Sequence, residues 1–197
     1  MIRIFLETSK NTTSEYNFIE TLLTRAALSD YEIIPVGSKD NIGNLQNKFV
    51  ENTIEGGKNL IIFDADTTKR GDGYENTKQR IAHETFDDGV TIDGIFLFPN
   101  NQDDGTFENL LEHLIPEGKH KVFLDCFSDY AKCLGTEYKT PGVKDKMYEY
   151  ISLQKGLTKK LKNEIKRGHW LWDNPEYWNL DADYLNPLKD FLAQHFS

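Results

Sequence analysis

A chain of 197 residues is long enough for one full core and too short for two equal domains. With 38% hydrophobic, 12% aromatic and 28% charged residues, it describes a packed globule and excludes a disordered chain. The net charge of −9 excludes a general attraction to nucleic acid or anionic membrane, and the lack of a signal peptide or of a run near the roughly 18 apolar residues of a membrane span implies no membrane and a cytoplasmic address.

Residues 2–6 read as a strand with Glu7 at its end. A Thr-, Ser- and Asn-rich loop follows, in which Ser14 can cap the next helix. Phe18, Ile19, Leu22, Leu23 and Ala26 recur at helical spacing, which predicts a helix over 15–28 with one apolar stripe facing a sheet. A second strand is expected over 32–36, closed by Gly37, and a weaker helix over 42–55, ended by Gly56 and Gly57. The apolar residues 60–63 form a third strand that delivers Asp64 and Asp66. After Gly71-Asp72-Gly73 comes a helix over 74–86, then a strand over 94–98 that Pro99 stops.

This alternation predicts an α/β fold: a mainly parallel central sheet with helices on both faces, joined by right-handed crossovers, with ligands favoured at the carboxyl ends of the strands. Phe107, Leu110, Leu111 and Leu114 make a further helical stripe, and 121–134, 144–154, 157–167 and 186–196 read as a helical C-terminal layer. A single domain over 1–197 is expected, with an α/β core at 1–116 and a helical extension at 117–197. Cys126 and Cys133 stand on one helix, about 10 Å apart along its axis, too far for a disulfide; buried inert thiols are expected.

Chemistry is concentrated in the acids. Alternate residues of a strand point the same way, about 6–7 Å apart, so Asp64 and Asp66 can share one oxygen-rich site, and magnesium needs such hard ligands. Glu7 ends the other apolar strand. Three acids at two strand ends would repel one another unless a cation lies between them. Glu108 lies near the start of the 107–114 stripe, where a carboxylate also complements the helix dipole, and Asp103 or Asp104 can serve as a cap.

A glutamate ending strand one, an Asp-x-Asp ending a later strand and a helical insert between them resemble the Toprim fold of topoisomerases, primases and overcoming-lysogenisation-defect nucleases. The segments Asp103-Asp104-Gly105-Thr106-Phe107-Glu108-Asn109-Leu110-Leu111 and Lys144-Asp145-Lys146-Met147-Tyr148-Glu149-Tyr150 resemble a family of uncharacterised Toprim-like proteins, DUF3226. The resemblance implies that Glu7 is the general acid/base or a metal ligand, that Asp64 and Asp66 bind Mg2+ or Mn2+, and that Glu108 is a further acid of the nuclease-like branch. Where many Toprim proteins continue from the glutamate with a glycine and an acid, this chain has Thr8, Ser9, Lys10 and Asn11.

The chemistry so implied is metal-dependent phosphoryl transfer on nucleic acid. Lys155, Lys159, Lys160, Lys162, Lys166 and Arg167 form a basic run, followed by Trp170, Trp172, Tyr177 and Trp178; cations interleaved with stacking rings suit single strands or ends, with Lys146 a further phosphate contact, but a solvated basic face on the 157–167 helix with the tryptophans packed over the sheet is the weightier reading of these residues. Two alternatives stand beside the phosphoryl-transfer reading. One is a non-catalytic module that binds nucleic acid, nucleotide or protein. The other is a haloacid-dehalogenase-like phosphatase, whose Asp-x-Asp-x-Thr motif fits Asp64 to Thr68, although two strand–helix units precede it here.

Overall fold

The structure is a computed structural model and describes residues 1–83, 90–118, 120–134 and 136–196. Four strands, β1 (Ile2–Leu6), β2 (Tyr31–Pro35), β3 (Lys58–Asp64) and β4 (Gly94–Phe98), form one sheet in the order β2-β1-β3-β4, every pair parallel. Among the described residues eight α-helices surround it: α1 (Ser14–Arg25), α2 (Gln46–Ile54), α3 (Tyr74–His83), α4 (Phe107–Leu114), α5 (Lys121–Cys133), α6 (Val143–Ser152), α7 (Lys159–Ile165) and α8 (Asn186–Phe196). None of them is long and apolar enough to cross a membrane.

Both faces of the sheet are covered, which explains why the strands are continuous apolar runs. On β3, Leu60 and Ile62 face a large cluster with Phe18, Leu22, Phe107, Leu110, Met147, Tyr150 and Trp178, drawn from α1, α4, α6 and the C-terminal segment. Ile61 and Phe63 point the other way, to a smaller cluster with Phe49 of α2 and Ile81 of α3. All four β3 residues are fully buried.

Several expected elements shift at their ends. Thr13, not Ser14, is the N-cap of α1, its hydroxyl accepting from the Tyr16 N–H. The weak 42–55 helix is a 3-10 turn at Lys39–Leu45 leading into α2, since Gly43 and Asn44 interrupt a regular helix. The 74–86 prediction holds through His83; residues 84–86 lie outside the described residues. The prediction of buried thiols is overturned: Cys126 and Cys133 are both exposed, because α5 lies on the outside of the molecule and buries none of its residues.

Candidate functional site

The order β2-β1-β3-β4 makes the chain leave β1 toward β2 and return on the other side as β3, so a crevice opens at the carboxyl ends of β1 and β3. Glu7 and Asp64 stand on its two lips. Glu7 continues the ladder, its N–H donating to the Ile62 carbonyl at 3.1 Å. Its carboxylate accepts from two backbone N–H groups, Lys39 at 3.2 Å and Asp64 at 3.1 Å. The side chain thereby ties the loop after β2 to the end of β3. Burial raises its pKa, against the lowering effect of those two bonds and of Lys39.

Asp64 is the last residue of β3 and points to the face occupied by α4. Its Oδ1 accepts from the N–H of Phe107, the first residue of α4, at 2.8 Å, so the carboxylate faces the positive end of that helix. Glu108 is the next residue and is buried. Its Oε2 accepts from Thr106 Oγ1 at 2.9 Å, and its Oε1 lies 3.6 Å from Lys144 Nζ, which also reaches Glu15 Oε1 at 3.7 Å. Burial pushes the Asp64 carboxyl well above the usual carboxylate range, with the charges of Glu108 and Glu7 adding to it and the Phe107 bond opposing.

Asp66 behaves differently. The strand ends at Asp64, and Asp66 adopts a left-handed backbone (φ 59) pinned by reciprocal bonds with Gly105, N to O at 2.7 and 2.8 Å. The alternation of an extended strand therefore no longer aligns the two aspartates. Asp66 Oδ2 meets Lys39 Nζ at 2.5 Å, and the same ammonium lies 3.2 Å from Asp72 Oδ2. Burial works to lower the Lys39 pKa, but the bonds from Asp66 and Asp72 outweigh it and raise it. Two acids one residue apart are thus held by different partners.

Asp103 and Asp104 have turn roles. Asp103 closes its own turn with Asn100, and Asp104 accepts from the Tyr74 N–H at 2.8 Å, capping α3 rather than α4. Among the described residues, no group of three or more His, Cys, Asp or Glu side chains is assembled as a ready metal shell. The donors that do gather are hard carboxylate oxygens. They suit an ion that keeps most of its water and takes one or two carboxylates, as magnesium does.

Beside the acids opens a cleft of about 400 Å³. Its walls are Glu7, the hydroxyls of Thr8, Ser9, Thr12, Thr13 and Ser14 at the start of α1, and the two lysines Lys144 and Lys166. Gly168 makes this meeting possible: at φ 83, it lies so close to the α1 cap that a Cβ would stand 2.3 Å from the Thr13 carbonyl carbon. Among the described residues Lys159, Lys160, Lys162 and Lys166 have no carboxylate at ion-pairing distance, while Arg167 lies 3.8 Å from Glu164. Lys146 is instead paired with Glu112. Lys160 lines a second, larger cavity of about 950 Å³ on the other flank of α7.

The aromatic residues after the basic run pack into the core, as the alternative to base stacking had it. Trp170, Trp172, Tyr177 and Trp178 are all buried, and the Trp170 and Trp178 indole N–H groups donate to the Ile165 and Trp170 carbonyls. Parts of these buried rings still line the two cavities, Trp170 with Lys166 in the smaller and Trp172 and Tyr177 with Lys160 in the larger. Lys39, Asp72 and Glu15 were not legible as site residues, and Lys144 was visible only as the first residue of a family-like segment. No periodicity or spacing reports where a long ammonium side chain ends.

Residues 12–197 match the model of a family described as "Protein of unknown function (DUF3226)"; the match begins after Glu7. No curated protein and no solved structure matches the chain.

Proposed function

The chain belongs to the DUF3226 family, and we propose that its crevice holds a divalent cation, magnesium or manganese, for phosphoryl transfer on nucleic acid. One observation carries the proposal: Asp64, Glu108 and Glu7 stand together at the switch point of the sheet, and among the described residues the exposed Lys144 pairs with Glu108 and Lys39 acts on Glu7 while Asp64 has no cation at ion-pairing distance. Asp64 and Glu108 would hold the ion, with Glu7 alongside. Such an ion, when bound, polarises a phosphate oxygen and acidifies a bound water.

The chain's own groups supply the rest. Each Glu7 oxygen keeps a lone pair beyond its backbone bond. From the cleft wall it can accept a proton from an attacking hydroxyl or water. Lys144, Lys166 and the hydroxyls of Ser9 and Thr12 line the same cleft and offer donors to phosphate oxygens. Lys159, Lys160 and Lys162 extend the positive edge along α7 for a strand leaving the cleft, a local patch in an acidic protein. The kinship with Toprim nucleases enters here as part of the proposal, through Glu7 and the Asp64-x-Asp66 pair.

Calorimetric titration with MnCl2 tests the ion: the wild type binds, and Asp64→Asn loses binding while its circular dichroism stays native. An unchanged isotherm for Asp64→Asn would refute the site. A recognition module without turnover is the second reading, favoured by Glu7 spending both carboxylate oxygens on backbone N–H groups. It is distinguished by oligonucleotide binding that persists with no cleavage in magnesium or manganese.

A further inference from the structure

We infer that Lys39 fills the place of a second cation, so that the crevice takes one divalent ion on the Asp64 side and Asp66 is not a ligand. The inference rests on the metal reading above and adds the number of ions and a positioning residue. Lys39 Nζ is shared by Asp66 Oδ2 at 2.5 Å and Asp72 Oδ2 at 3.2 Å, with side-chain exposures of 10%, 19% and 17%. A lysine so enclosed has exchanged its water for two carboxylates, as a bound metal does.

Its place is fixed at both ends. The Lys39 backbone N–H donates to Glu7, and Asp66 is pinned by its paired bonds to Gly105. Asp72 is also met by Arg80, at 3.4 Å. Counting charges separates the two halves of the site. Around Lys39, Asp66 and Asp72 are each already held by a cation, Lys39 for both and Arg80 for Asp72, although Arg80 is also shared with Asp40 at 3.4 Å. Around Asp64, Glu108 meets Lys144 at 3.6 Å and Glu7 feels the charge of Lys39, but among the described residues the Asp64 carboxylate has no cation at ion-pairing distance, so a divalent ion there has no ammonium to displace. Cations repel steeply at contact distance, so an ion seated on Asp66 would have to displace the ammonium.

Lys39 therefore acts through Asp66, Asp72 and Glu7 as a positioning residue. Manganese titration followed by electron paramagnetic resonance reads the number of ions directly. The expected result is one Mn2+ for the wild type and for Lys39→Arg, and two for Lys39→Ala, whose freed Asp66 and Asp72 take the second. Asp66→Asn leaves the first-site affinity within about twofold, and it decides the matter if Lys39→Ala does not fold. Two ions in the wild type, one in a folded Lys39→Ala, or a tenfold loss in Asp66→Asn would each overturn the inference while leaving the Asp64 site standing. A wild type that binds no Mn2+ overturns both.

Discussion

Replacing Trp178 separates a core role for the C-terminal rings from a ligand-stacking role. Its indole is 1% exposed, centred 4.9 Å from Trp172 and 5.3 Å from Tyr150, and its N–H donates to the Trp170 carbonyl at 2.7 Å. Trp178→Ala removes the ring and leaves a cavity, at a cost of about 3–5 kcal/mol. Trp178→Phe keeps most of the ring but orphans a buried carbonyl, at a cost of about 1–3 kcal/mol. For a chain of this size each kcal/mol moves Tm by roughly 2–4 °C, so Ala should lower Tm by about 6–20 °C and Phe by about 2–12 °C. Urea denaturation followed by circular dichroism gives both free energies, and fluorescence anisotropy with a labelled oligonucleotide, taken where all forms are folded, should give the same affinity for each. If Trp178→Ala lost less than about 1 kcal/mol, or if it weakened the oligonucleotide while stability held, the placement of these rings in the core would be wrong.

Two further outcomes follow from the same geometry. In metal-free protein, Asp64 has a folded pKa raised above its unfolded value, so the folded state binds more protons and stability falls as pH rises from the ordinary aspartate range through the raised value. Asp64→Asn keeps an acceptor for the Phe107 N–H and removes that fall; it should exceed the wild type in stability at neutral pH, with the gap closing toward acid, and a gap that widened in acid would contradict the sign. Gly168→Ala sets a Cβ against the Thr13 backbone at positive φ and should cost about 1–3 kcal/mol from the backbone alone, with the clash adding more; a silent substitution in a thermal melt would show that α7 and the α1 cap do not meet this closely.

The strands were legible because their centres are apolar runs buried in the sheet, and β1 and β3 could be read with their terminal acids in place. Glu7 and Asp64 were found for the same reason: a carboxylate directly after such a run has nowhere to go but the strand end. Asp66 was harder, since the rule that pairs alternate residues holds only while the strand lasts, and this one stops at Asp64. The left-handed turn that hands Asp66 to Lys39 depends on Gly105, about forty residues away in the chain. The rings near residue 170 could be read as packing over the sheet or as stacking on a ligand, because a Trp-rich stretch after a basic run looks alike in either place, and the structure buries them. The thiols of α5 were misread: an apolar helical stripe says that a face can be covered, not that anything covers it.

The anchoring of Asp64 on the first turn of α4 ties the crevice to the far end of the chain. Helix α4 packs on α6, and the cluster beneath it draws Tyr150, Trp172, Trp178 and Leu188 from beyond residue 116. A fragment ending near 116 would leave Phe98, Phe107 and Leu110 wet on that side and would lose the support that aims the Phe107 amide at the carboxylate. Core and extension share one apolar cluster, and truncation from the C-terminus would loosen the crevice before it shortened the sheet.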